Sequence, residues 1–160
     1  EDLGTVCFDS ISTLWVWIQE WLRFEVITKK GEYYKSGTPT LQAFSQVPTD
    51  RRDWSKANSK YYSIINAFKS LKCNLILTAQ AQPSFDSSGN VIDESKPSMQ
   101  KFTPFMVDLH LDLRKKHDGT KNIYYGTVRN CRFVNADKIE NTTIINPTFE
   151  KIYNLVRDVM

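Results

Sequence analysis

Thr5-Val6-Cys7-Phe8-Asp9 is a short β-prone run that ends in a carboxylate. An acid at the end of a strand is suited to position a magnesium ion that bridges nucleotide phosphates, usually through water. A second apolar run, Asn74-Leu75-Ile76-Leu77-Thr78, is followed by the polar Gln80. A different chemistry is offered by Asp108-Leu109-His110-Leu111-Asp112, where a period of two sets both acids and the histidine on one face, the donor set of a divalent metal or nuclease site. The ordinary reading of that face is the wet side of an antiparallel strand. Cations interleaved with aromatics form a third group: Lys29, Lys30, Tyr33, Tyr34 and Lys35, then Arg51, Arg52 and Trp54, and later Phe85, Lys96, Lys101 and Phe102. Cations meet phosphates and rings stack on bases, so these stretches are candidates for binding single-stranded DNA. Their ordinary reading is a solvated surface with packing aromatics.

The elements that must position these groups follow from periodicity. Residues 4 to 9 read as a strand. Ser10 then offers an N-cap to a helix with Leu14, Trp17, Ile18, Trp21 and Leu22 at helical spacing, fading near Lys29-Lys30-Gly31. Residues 31 to 49 contain Gly31, Gly37, Pro39 and Pro48 and read as a loop. A second helix opens at Thr49 or Asp50, with Trp54, Ala57, Tyr61, Ile64, Ile65, Phe68 and Leu71 as its stripe, and feeds the strand at 74–78. The polar stretch 81–101 reads as a long functional or mobile loop. Residues 107 to 114 alternate strictly, Asp118-Gly119 marks a hairpin turn, and Ile123 to Cys131 returns as the partner strand. A short strand at Thr142 to Ile145 and a final helix with Phe149, Ile152, Tyr153 and Val156 close the chain. An αβ start followed by an antiparallel hairpin implies a mixed sheet with helices on its faces. Its ligand end lies at the carboxyl termini of the parallel strands, where Asp9, Ser10 and Gln80 emerge.

Bulk properties bound the answer. The 160 residues fit one domain spanning 1–160, and 41% hydrophobic with 24% charged residues excludes a disordered or fibrous chain. The longest apolar stretch, Leu14 to Leu22, is interrupted by Gln19 and Glu20, so no membrane span is expected. With no secretory pattern at the start, a cytoplasmic setting follows. The chain begins Glu1-Asp2-Leu3 and its first methionine is Met99, which implies a processed or truncated product. Twenty-one basic and 18 acidic residues give a net charge of +3, which permits nucleic-acid binding without requiring it. Cys7, Cys73 and Cys131 include no CxxC pair, so buried free thiols are expected rather than a zinc site or a disulfide framework.

Taken in order, these pieces resemble a known family. Thr5-Val6-Cys7-Phe8-Asp9-Ser10-Ile11-Ser12 is similar to the Walker B strand and helix start of RecA-like P-loop ATPases. Leu75-Ile76-Leu77-Thr78-Ala79-Gln80 looks like their next core strand with its γ-phosphate-sensing residue. Tyr125-Gly126-Thr127-Val128-Arg129-Asn130-Cys131-Arg132-Phe133 is similar to the late strand carrying a Lys-x-Arg-Phe signature. Ile145-Asn146-Pro147-Thr148-Phe149-Glu150 resembles the tail of the phage and archaeal branch. The resemblance implies a three-layer RecA-like α/β fold, with parallel core strands and a C-terminal antiparallel hairpin, incomplete on its N-terminal side. It implies ATP and Mg2+ as cofactors, a homo-oligomer, and DNA recombination, repair or replication as the setting. Asp9 would hold the metal, Asp9 and Ser10 would face the nucleotide, and Gln80 would sense the γ-phosphate. Arg132, with Arg129, would reach a nucleotide across a subunit boundary, making Asp9, Gln80 and Arg132 the catalytic set. Lys29, Lys30, Arg51, Arg52, Trp54 and Lys101 fall where the family binds single-stranded DNA.

Two departures qualify the expectation. No GxxxxGK[ST] phosphate loop occurs in the chain, so neither tight binding of ATP and Mg2+ nor more than little ATP turnover is expected from it alone. The lysine position of the late strand holds Asn130, and Arg129 is displaced by one residue, which in a regular strand turns its side chain to the other face. Two readings of other classes stand beside this one: a non-catalytic nucleic-acid-binding or assembly module, and a metal-dependent nuclease using Asp108, His110 and Asp112.

Overall fold

Ile11, Leu14, Ile18 and Leu22 recur every three or four residues, so one side of a helix gathers them. All four are buried in the computed structural model of the chain. The structure describes residues 4–30, 50–157 and 159, with backbone alone at 26–30, 84 and 92–95. Tyr33, Tyr34, Lys35 and the loop expected at 31–49 lie outside the described residues. The chain is mixed α/β, with parallel and antiparallel strands in small sheets, and it divides into two compact units, Glu1–Gln100 and Lys101–Met160.

In the first unit, β1 (Thr5–Phe8) leads into α1 (Ile11–Lys30), and α2 (Arg51–Lys69) leads into β2 (Asn74–Leu77). The two strands pair in parallel, from Thr5 opposite Asn74 to Phe8 opposite Leu77. Asp50 starts α2 through a capping box. Its Oδ1 accepts from Arg52 N at 2.7 Å and Asp53 N at 2.9 Å, while Asp53 Oδ2 accepts from Asp50 N at 3.2 Å. Ala57, Tyr61 and Ile65, four residues apart, are fully buried. Trp15 of α1 meets Tyr61 edge-on at 5.5 Å, and Phe8 meets Phe68 at 5.2 Å, so aromatic packing joins α2 to both α1 and β1.

Two expectations about side chains are corrected here. Trp17 is 61% exposed, because the buried line of α1 runs through Ile11, Leu14, Ile18 and Leu22 and leaves Trp17 beside it. Cys7 is exposed and Cys73 intermediate; Cys131 is the buried thiol. Cys7 alternates with Val6 and Phe8, and Phe8 takes the face that packs on α2.

The stretch read as a long loop is a β-hairpin. β3 (Ala81–Phe85) pairs antiparallel with β4 (Val91–Pro97), with a register shift between Pro83 and Ser84 where proline cannot donate to the ladder. Its turn is built by Asp86, whose carboxylate accepts from Ser88 N at 2.9 Å, Asn90 N at 2.8 Å and Asn90 Nδ2 at 3.0 Å. Gly89 supplies the positive φ of 83°. Backbone pairing and turn chemistry hold this hairpin, so its sequence shows no apolar alternation.

In the second unit, a 3-10 turn (Thr103–Phe105) precedes β5 (Leu109–His117), β6 (Asn122–Cys131) and β7 (Thr143–Ile145), a three-stranded antiparallel sheet in the order β5-β6-β7. α3 (Phe149–Arg157) closes the chain. The core gathers Val128, Cys131, Ile139, Val156 and Val159, with Leu109 and Leu111 packed against it. Asp118 makes the hairpin turn, accepting from Thr120 N and Lys121 N at 2.9 Å each. Gly126 lies under Pro147 and Leu113, where a Cβ would meet Pro147 Cγ at 3.2 Å. Among the described residues no helix is long and apolar enough to cross a membrane.

The capping box makes a direct test. Asp50→Ala is expected to lower stability by about 1 kcal/mol in urea unfolding. An unchanged midpoint would show that the start of α2 is held by something other than its cap.

Candidate functional site

The register that places Phe8 opposite Leu77 brings Asp9 level with Thr78 just beyond both strands. Backbone bonds extend the ladder there: Thr78 N donates to Phe8 O at 3.1 Å and Ile11 N to Thr78 O at 2.9 Å. The Thr78 hydroxyl donates to Asp9 Oδ1. The Asp9–Ser10 peptide bond is cis. Ser10 starts α1, its carbonyl accepting from Leu14 N at 3.3 Å and its hydroxyl from Thr13 N at 3.4 Å. Ser12 is buried and its hydroxyl accepts from Gln80 N at 2.8 Å. Asp9, Ser10 and Gln80 therefore converge at the carboxyl ends of two adjacent parallel strands. Sequence reasoning missed Thr78 and Ser12 as partners. Thr78 carried a readable signal, a hydroxyl at the strand end two residues before Gln80, and Ser12 carried none.

Arg129 and Arg132 belong to the second unit. The β5–β6 register runs from Leu109 opposite Cys131 and His110 opposite Asn130 to Leu111 opposite Val128, so Arg129 is the extra residue of a bulge. Val128 and Cys131 both turn to the core although three residues apart. The bulge thereby leaves Arg129 and Asn130 together on the opposite face, correcting the expectation that Arg129 points away from the Asn130 side. On that face Arg129 Nη2 and Arg114 Nη2 each lie 3.1 Å from Asp112 Oδ2. Arg132 is exposed, and its N–H donates to Asp108 O at 2.9 Å.

These pairings decide how the Asp108, His110 and Asp112 set behaves. Asp112 is neutralised by two guanidiniums, and among the described residues no group of three or more His, Cys, Asp or Glu side chains is placed to hold a metal ion. His110 is half-buried. Burial of its ring holds its pKa below the ordinary 6.5, with Asp112 opposing and Arg129 reinforcing that shift.

The nucleic-acid candidates separate. Arg51 and Arg52 are exposed at the start of α2. Trp54 is half-buried, its ring 6.3 Å from that of Trp15, so it is partly a packing residue. The helix carries Arg51, Arg52, Lys56, Lys60 and Lys69 against the single carboxylate of Asp53, a net +4 that exceeds the +3 of the whole chain. Lys60 Nζ sits 4.0 Å over the Trp21 ring. Two open grooves follow this face. One of about 680 Å3 is lined by residues including Arg51, Trp54, Asn58 and Tyr62; the other, about 540 Å3, by Trp21, Ser55, Lys56, Ser59, Lys60 and Ser63. Lys29 and Lys30 end α1, but their side chains lie outside the described residues. Phe85 stands 59% exposed beside the turn of the β3–β4 hairpin, and Lys101 Nζ lies 5.3 Å over Phe102 in the second unit.

No family model, curated protein or solved structure matches the chain.

His110 provides a pH test. A histidine whose folded-state pKa is depressed is protonated more readily in the unfolded chain. Its contribution to stability is therefore complete above pH about 6.5 and is lost as the pH falls through the folded-state value. His110→Gln is expected to lose less stability than the wild type over that acid limb. Parallel pH–stability curves for the two proteins would show that His110 is not held neutral by burial.

Proposed function

We propose that the chain supplies the part of a RecA-like, three-layer ATPase core that runs from the Walker B strand to the C-terminus, acting on DNA in recombination, repair or replication. The observation that carries this reading is the convergence of Asp9 and Gln80 at the carboxyl ends of the parallel pair β1–β2, tied across by Thr78 and Ser12. A metal-holding acid and a polar residue that can bond a terminal phosphate belong side by side at such a strand end. The donor chemistry fits magnesium: hard oxygens from Asp9, with Ser10 beside it, would hold the ion largely through water. When bound with ATP, magnesium supplies charge neutralisation between the phosphates. The chain's own part is to fix the Asp9 carboxylate through Thr78 and to hold the Gln80 main chain through Ser12. Arg132, just past β6, and Arg129, on its bulge, are proposed to serve a nucleotide on a neighbouring subunit of a homo-oligomer.

The net +4 of α2 supports the nucleic-acid half of the reading. Its cations, serine hydroxyls and partly exposed aromatics are the groups that hold a sugar–phosphate strand and stack its bases. The same face would serve a non-catalytic nucleic-acid module equally well, so nucleotide binding at Asp9 separates the two. The nuclease reading gains no support from Asp112, whose charge is already met by Arg114 and Arg129.

With no phosphate loop in its sequence, the chain alone is expected to hydrolyse ATP at background. A robust rate abolished by Asp9→Ala would show that other residues cradle the phosphates. Replacing Arg51, Arg52, Lys56 and Lys60 with glutamine is expected to weaken single-stranded DNA binding and to reduce the salt slope by about 0.7 for each phosphate that is no longer neutralised. Unchanged affinity across a salt titration would remove α2 from the interface.

A further inference from the structure

Ser12 lies in the first turn of α1 and is only 3% exposed. A serine near a helix start commonly bonds its own helix backbone or faces water. This one turns instead towards the end of β2, where its hydroxyl oxygen accepts from the Gln80 N–H at 2.8 Å, across 68 residues of sequence. The Gln80 carbonyl in turn accepts from Ser98 N at 2.7 Å. Hairpin β3–β4 begins at Ala81 and ends at Pro97, so Gln80 and Ser98 are the two residues that close its base. Backbone pairing between β1 and β2 reaches Thr78 through its bonds to Phe8 and Ile11. The Ser12 hydroxyl carries the restraint two residues further. Without it the Gln80 amide loses its partner and the main chain there is freer to turn, taking both the Gln80 side chain and the hairpin base with it.

We infer that Ser12 is a positioning residue that holds the Gln80 main chain, and with it the base of the β3–β4 hairpin, in fixed relation to Asp9. The inference rests on the proposed nucleotide site for what Gln80 is held towards; the hold on the hairpin base is independent of it. Ser12 is buried and its hydroxyl is bonded to the Gln80 amide, so its effect passes through Gln80.

Amide exchange followed by NMR on the 160-residue chain tests it, with Ser12→Ala, Ser12→Thr and the wild type compared. In the wild type the Gln80 amide is expected to be protected. Ser12→Ala should accelerate exchange at Gln80 and Ser98 by roughly five- to tenfold, as expected for one lost hydrogen bond, and leave the amides of α2 and of β5–β6 unchanged. Ser12→Thr, which keeps the hydroxyl, should restore protection. A Gln80 amide that exchanges freely in the wild type overturns the inference even if Ser12→Ala does not fold. Undiminished protection in Ser12→Ala, or an equal acceleration throughout α2, overturns it as well. Millimolar Mg·ATP added to the same samples separates this inference from the reading beneath it. No shift at the Ser10 and Ile11 amides of the wild type defeats the nucleotide site itself, with the exchange data still deciding the hold on the hairpin. Shifts at Ser10 and Ile11 with the same Gln80 response in wild type and Ser12→Ala keep the nucleotide site and defeat the positioning role.

Discussion

Parallel strands cannot be joined by a tight turn, so the ladder between β1 and β2 makes its connection cross back over the sheet. That constraint organises the first unit. The crossover runs through α1 and α2, whose buried lines at Ile11–Leu22 and Ala57–Ile65 pack on each other, with Phe68 reaching Phe8. Because both strands run the same way, their carboxyl ends emerge together, and residues separated by most of the unit's length become neighbours. Asp9 and Thr78, Ser12 and Gln80 meet for that reason. Slipping the ladder by one residue would exchange the two faces of the moved strand and separate Asp9 from Thr78.

Charge is distributed as unevenly as structure. One helix, α2, holds more net positive charge than the entire chain, so the remaining residues are slightly acidic in sum. Its one carboxylate, Asp53, shares the capping box with the N-cap Asp50 and lies 3.6 Å from Lys56 Nζ, and the remaining outward positions carry cations, hydroxyls and amides. In the second unit the opposite holds. Arg114 and Arg129 share the carboxylate of Asp112, which lowers the charge that face presents and spoils it as a cation site.

Much of this was legible in the residues. Asp50 marked a helix start, Asp118-Gly119 a turn, and the apolar run 74–77 a strand, although Ile76 is 49% exposed and the strand is not covered on both faces. The failures have physical causes. Ala81–Pro97 forms a hairpin through main-chain bonds and the Asp86 turn, leaving no apolar alternation to detect, although Asp86-x-x-Gly89-Asn90 was a usable turn signal. The bulge at Arg129 depends on Val128 and Cys131 both finding the core, a tertiary condition that a regular period of two cannot express. Asp9 was legible as a candidate, whereas the side-chain ties to Thr78 and Ser12 exist only once the parallel register is set.

The proposed function turns on one event, the arrival of a metal–nucleotide complex at the carboxyl ends of β1 and β2 through Asp9. Paramagnetic broadening by Mn2+, read residue by residue in the NMR spectrum, reports that event without relying on turnover. The expected result is broadening at Ser10, Thr78 and Gln80 that requires Mn2+ and ATP together and disappears in Asp9→Asn. Broadening by Mn2+ alone, centred on residues 108–112 and indifferent to Asp9, would refute it and return the metal to the acids of the second unit.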